Sequence, residues 1–108
     1  MTDLASLDAT AQAELVTSGA LSAVELVRAA VRRAEAVNPE LNAIIHPRFE
    51  EAIAAAATVP DGPFAGVPFV LKDLDGTAAG EPPHAGTAFL RDHDFVAEAD
   101  SELTARFL

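Results

Sequence analysis

The sequence predicts an α/β chain, with outer helices and one or two strands. Three observations carry that expectation. Ser22-x-x-Glu25 has the spacing of a capping box and precedes a run with helical apolar periodicity. The apolar part of residues 66–73 is continuous rather than alternating, which suits a strand covered on both faces. Pro60-Asp61-Gly62-Pro63 is a turn cluster placed between them.

Along the chain, Asp8 caps a short helix predicted over 9–17, with Leu15 and Val16 on its apolar side and Ser18-Gly19 at its end. In the second helix the Ser22 hydroxyl takes the amide three residues on, and the Glu25 carboxylate reaches back. Leu21 and Leu26 stand at the staple positions, and Val24, Val27, Val31 and Ala34 form one apolar stripe. Glu25–Arg28 and Arg32–Glu35 are favourable pairs on the polar side. Asn38-Pro39 is expected to stop this helix. Ala43-Ile44-Ile45 is a short β-prone run. Pro47 suits the first turn of a third helix carrying Phe49 and Ile53. Residues 75–86 read as a loop. A last helix begins at Asp100 or Ser101, and its apolar residues are Leu103, Phe107 and Leu108. No Gly, Asn or Pro stop signal follows it, so the chain reads as cut within a helix.

Composition excludes several classes. The 108 residues include 17 acidic and 7 basic side chains, for a formal net charge of −10. Such a chain is repelled by nucleic-acid backbones. Arg28, Arg32 and Arg33 lie at helical spacing without stacking aromatics and read as a solvated face. There is no cysteine, hence no disulfide and no thiolate metal site. Met1-Thr2-Asp3-Leu4 lacks the pattern of a secretory signal, and no apolar run approaches the roughly 20 residues of a membrane span. The default location is cytoplasmic.

Lys72 is the only lysine, and it closes the apolar run. Two readings fit it. Burial disfavours an ammonium, and a neutral amine serves as a general base near neutral pH. A strand-end lysine can equally extend into solvent or pair with Asp73 or Asp75. The remaining polar residues carry less. Ser6, Ser18, Ser22 and Ser101 all fall at helix ends, where capping is their ordinary work. His46, His84 and His93 match no metal-ligand spacing. Asp92, Asp94, Asp100 and Glu102 lack the spacing and turn glycine of a calcium loop. Gly76 to Gly80 is not followed by Gly-Lys-Ser/Thr and is no phosphate loop. Thr87 reads as part of the preceding loop.

The segment Gly62-Pro63-Phe64-Ala65-Gly66-Val67-Pro68-Phe69-Val70-Leu71-Lys72-Asp73-Leu74 resembles the lysine segment of the amidase-signature hydrolases. Leu21 to Val27 resembles that family's second helix. Asn38-Pro39-x-Leu41-Asn42-Ala43 resembles the segment before its first strand, and Asp100-Ser101-Glu102-Leu103 resembles the start of a later helix. The order and spacing of these segments match the family along nearly the whole chain.

The resemblance implies that residues 1–108 form the N-terminal portion of a single amidase domain with a mixed sheet. It implies hydrolysis of a carboxamide by a Ser–Ser–Lys mechanism. Lys72 is then the catalytic base, and both serines lie beyond residue 108. By the same resemblance the chain is inactive alone, and the full-length enzyme acts on a small-molecule amide. No cofactor or metal, no nucleic acid and no membrane is implied, and a homodimer of the full-length enzyme is admitted. Two alternatives stay open. One is the transamidating component of a glutamyl-tRNA(Gln) amidotransferase, which uses the same lysine segment. The other is a non-catalytic interaction module derived from an amidase, with apolar faces at 67–71 and 103–108 that need a partner.

Overall fold

The computed structural model describes residues 3–108; Met1 and Thr2, part of the segment read for a secretory signal, lie outside the described residues. The chain divides into two compact units between Phe69 and Val70.

The first unit is helical. A 3₁₀ turn, Leu4–Ser6, leads into α1, Ala9–Thr17, capped by the Asp8 carboxylate, which accepts from the Ala11 amide at 2.8 Å. The capping box forms as expected. The Glu25 amide donates to Ser22 Oγ at 3.2 Å, and Glu25 Oε2 accepts from the Ser22 amide at 2.9 Å and from its hydroxyl at 2.7 Å. Glu25 thus turns back onto its own cap rather than toward Arg28. These bonds favour the ionised carboxylate, the side-chain bond most, and hold Glu25 below its usual range.

The helix that follows, α2, runs over Ala23–Leu41, with Pro39 inside its last turn. The expected stop at Asn38-Pro39 is therefore corrected. Pro39 removes one backbone donor, but the Asn38 side chain supplies a clamp. Its Oδ1 accepts from the Ala43 and Ile44 amides at 2.9 and 2.8 Å, and its Nδ2 donates to the Ile44 carbonyl at 3.0 Å. Three such bonds, at roughly 1 kcal/mol each, offset a proline near a helix end. Asn42, at φ 48°, then closes the helix in the left-handed region.

A shorter helix, α3, spans Phe49–Ala55, and a 3₁₀ turn, Ala56–Thr58, extends it. It starts two residues after Pro47, and Arg48 holds the cap position without a side-chain capping bond. The core lies between α2 and this pair: Ala23, Val27 and Ala56 are buried, with Val16, Val24, Val31 and Ile53 packed around them. Leu26, at the expected staple position, is 1% exposed.

The second unit is mostly loop. It holds α4, Ala88–Asp92, and α5, Glu102–Phe107. The sequence gives no sign of α4, which is five residues long and is capped by Thr87, whose hydroxyl accepts from the Leu90 amide at 3.4 Å. Ser101, not Asp100, caps α5. Backbone bonds tie the loop together: the Gly80 amide donates to the Ala97 carbonyl at 2.9 Å and the Ala97 amide to the Glu81 carbonyl at 3.0 Å. Ala97 and Thr104 are its buried residues.

No strand is present among the described residues, so the one or two strands expected over 43–45 and 66–73 do not form a ladder here. The donors explain why. The Asn38 side chain occupies the amides of Ala43 and Ile44. The Val67 amide donates into a turn, to the Phe64 carbonyl at 3.0 Å, and Pro68 has no amide proton. A strand needs free donors and a neighbour to receive them.

Candidate functional site

Lys72 stands outside any helix or strand in the second unit, just before a turn over 73–75. Its side chain is exposed, so the burial that would favour a neutral amine is not provided by the described residues. The alternative of a paired lysine is not realised either: among the described residues no ion pair joins it to Asp73 or Asp75. Its carbonyl accepts from the Gly76 amide at 3.1 Å, which closes the turn. A Cβ at position 76 would lie 3.2 Å from that same carbonyl oxygen, so the turn is tight and glycine fits it.

The half-buried Asp73 carries out a different task. Its Oδ1 accepts from the His84 amide at 2.9 Å, across eleven residues. Asp100 does the same further along, accepting from the Ala79 amide at 2.7 Å. The Ser101 amide donates to the Thr77 carbonyl at 2.9 Å. The glycine-rich loop after Lys72 is therefore anchored at several points. It ends in a turn in which the Thr87 amide and hydroxyl both reach the His84 carbonyl, at 2.8 and 3.0 Å. The central residues of that turn, Ala85 and Gly86, have φ of 48° and 69°. An alanine in this region is strained by about 1–2 kcal/mol, a cost the surrounding bonds must hold.

The other sequence candidates fall into structural roles. Ser6 and Ser18 donate to nearby carbonyls, and Ser22 and Ser101 cap α2 and α5. None of the four is within a described bond of Lys72. His93 sits on α4's end with Nδ1 2.8 Å from the Phe89 carbonyl and its ring 4.2 Å from that of Phe89. No group of three or more His, Asp or Glu among the described residues is arranged to hold a metal ion. No helix among them is long and apolar enough to cross a membrane. Sequence reasoning missed the anchoring roles of Asp73 and Asp100, because no local pattern links residues 11 and 21 positions apart.

The glycine of the Gly66-Val67-Pro68 register also acquires a reason. Gly66 has φ of +81°, and a Cβ there would lie 2.6 Å from the Ala23 Cβ on the first turn of α2. Only glycine lets this turn approach the helix.

Known proteins are similar to this chain. A family model described as Amidase matches residues 25–108. The 6-aminohexanoate-cyclic-dimer hydrolase of Pseudomonas sp. (strain NK87) is 42% identical over 99 residues, covering 92% of this chain and 20% of that protein. A glutamyl-tRNA(Gln) amidotransferase component from Salinispora tropica is 41% identical over 100 residues, covering 85% of this chain and 20% of that protein. A solved structure of 6-aminohexanoate cyclic dimer hydrolase superposes with a TM-score of 0.90 at 41% identity, covering 99% of this chain and 22% of that one. The chain thus spans about one fifth of the length of these relatives.

Proposed function

The chain belongs to the amidase family, and from that membership we propose that it carries the lysine base of an enzyme that hydrolyses a carboxamide bond. One observation carries this reading furthest. The chain's only lysine lies inside the matched region, at the head of a turn that is closed on its carbonyl and anchored beside it.

In the proposed reaction a serine outside residues 1–108 attacks the amide carbonyl carbon. Its hydroxyl proton passes through a second, bridging serine to Lys72 Nζ. The carbon–nitrogen bond breaks as that proton is returned to the departing amine, leaving an acyl-enzyme ester. Water then attacks the ester and gives its proton along the same route, the carbon–oxygen bond to the serine breaks as that proton returns to the serine oxygen, and the acid is released. Residues 1–108 make up one portion of the catalytic domain and do not turn over substrate alone. The enzyme works in the cytoplasm, admits a homodimer and needs no cofactor. The relative named for a cyclic dimer of 6-aminohexanoate supports cyclic amides as the substrate class.

The mixed sheet belongs to the same proposal. Phe69 and Val70 are 50% and 75% exposed. An apolar run of this kind suits a strand buried on both faces, and we propose that residues 67–71 pair within the sheet of the larger domain.

A chimera tests the reading. The 99 matched residues of the cyclic-dimer hydrolase are replaced by the corresponding residues of this chain. Hydrolysis of the cyclic dimer is expected, with a loss of roughly 10²–10⁴-fold in kcat on Lys72→Ala, the usual contribution of a general base. Equal activity of the two chimeras refutes Lys72 as the base. Turnover of simple amides by the 108-residue chain itself refutes the placement of the nucleophile elsewhere. The relative from Salinispora favours a second reading, the transamidating component of a glutamyl-tRNA(Gln) amidotransferase, acting on glutamine. Grafted into that component, the chain then restores glutaminase activity only with its partner proteins present.

A further inference from the structure

Two consecutive prolines constrain the strap that ends at His84. Pro82 and Pro83 carry no backbone N–H, so the His84 amide is the only main-chain donor over residues 82–84. That donor goes to Asp73 Oδ1 at 2.9 Å. Asp73 directly follows Lys72 and opens the turn whose closing bond, from the Gly76 amide, ends on the Lys72 carbonyl at 3.1 Å. Two ties therefore meet at Lys72: one on its own carbonyl and one on the side chain beside it. The turn has little spare room at this point, because a Cβ added at Gly76 would lie 3.2 Å from that carbonyl oxygen.

We infer that Asp73 is a positioning residue for Lys72: by accepting the His84 amide it fixes the backbone from which the Lys72 side chain extends. The inference rests on the reading of Lys72 as the base. The part that matters is an acceptor oxygen in that place. An asparagine offers the same oxygen without the charge, so Asp73→Asn separates geometry from electrostatics.

The chain's single lysine makes the test direct, since isotopically labelled lysine reports on Lys72 alone. In Asp73→Ala the His84 amide is expected to exchange with solvent about tenfold faster or more, the loss of one bond to a carboxylate. The Lys72 resonances are expected to shift and broaden. In Asp73→Asn both are expected to stay at wild-type values. Asp100→Ala removes a comparable anchor from Ala79 and is expected to speed exchange at Ala79 while leaving Lys72 unmoved. Unchanged Lys72 resonances in Asp73→Ala overturn the inference. So does an Asp73→Asn variant that behaves like alanine, or an Asp100→Ala variant that disturbs Lys72 equally. Should Asp73→Ala lose the fold, seen as lost protection of the buried Thr104 amide, Asp73→Asn decides: wild-type signals at His84 and Lys72 support the inference, and their loss refutes it. None of these readouts involves turnover, so failure here is distinguishable from failure of the chimera.

Discussion

The two units of this chain are held together by different means. The unit up to Phe69 has helices long enough to present a stripe, and buries Ala23, Leu26, Val27 and Ala56. The unit from Val70 buries Ala97 and Thr104, and leaves Leu74, Phe89, Phe95, Leu103 and Phe107 exposed. What orders it is a set of single bonds between distant residues: Asp73 to His84, Asp100 to Ala79, Gly80 and Glu81 to Ala97. Apolar burial is non-directional and tolerates small shifts. A carboxylate on one amide fixes a loop at one point. The unit with little core is the one that carries Lys72, and its precision comes from the bonds.

The strongest challenge to this contrast is made in the helical unit, where Gly66 approaches α2. In Gly66→Ala the new Cβ meets Ala23 Cβ at 2.6 Å, at a φ of +81°. Strain of about 1–2 kcal/mol from the left-handed backbone adds to roughly 1–3 kcal/mol from overpacking. Urea denaturation of Gly66→Ala is expected to show a loss near that sum. Adding Ala23→Gly is expected to return the crowding share and not the backbone share. A fully additive pair of substitutions would show that the two residues do not touch.

The contrast also explains what the sequence alone made legible. The bounds of α1 and the start of α2 were readable because a cap and an apolar period are both local signals. The end of α2 was not: Pro39 says stop, and the Asn38 clamp that outweighs it depends on where Ala43 and Ile44 come to lie. The helix α4 was hidden because five residues hold too little of a period to show one. The expected strands at 43–45 and 66–73 rested on β-prone composition, and composition does not reveal that their donors are used by Asn38 and Phe64. Lys72 was singled out as the only lysine at the end of an apolar run, but its case came from the Gly-Val-Pro register and not from burial, since the side chain is exposed. Asp73 was visible as a neighbouring charge and as part of the lysine segment. Its role is a long-range bond.

A smaller effect is expected where the loop-rich unit has its buried polar group. Thr104 is fully buried, and its Oγ1 accepts from Ser101 Oγ at 2.9 Å while its amide donates to that same oxygen at 3.2 Å. Thr104→Val keeps the volume and the amide and removes the acceptor. A loss of about 1 kcal/mol follows for one neutral hydrogen bond, read as faster amide exchange along α5. An unchanged or more stable variant would show that burial alone holds this unit, and would remove the distinction drawn between the two.

The weakest expected effect is the most useful for sharpening the distinction, because it places a polar anchor inside the helical unit. Glu25 sits in the capping box of α2 and its carboxyl is held below its usual range by the Ser22 hydroxyl and amide. A carboxyl depressed on folding adds stability that is fully present above its unfolded value, about 4.3. That stability is lost as pH falls through the lower folded value. Denaturation midpoints of the wild type and Glu25→Gln are therefore expected to differ at neutral pH and to converge in acid below the unfolded value. Because Glu25 is exposed, its share is expected to be smaller than that of Gly66 or Thr104. A gap that stays constant with pH would mean that the glutamate's shape, rather than its charge, makes the box. A gap as large as that of Gly66→Ala would mean that the helical unit also depends on single polar ties, as the unit bearing Lys72 does.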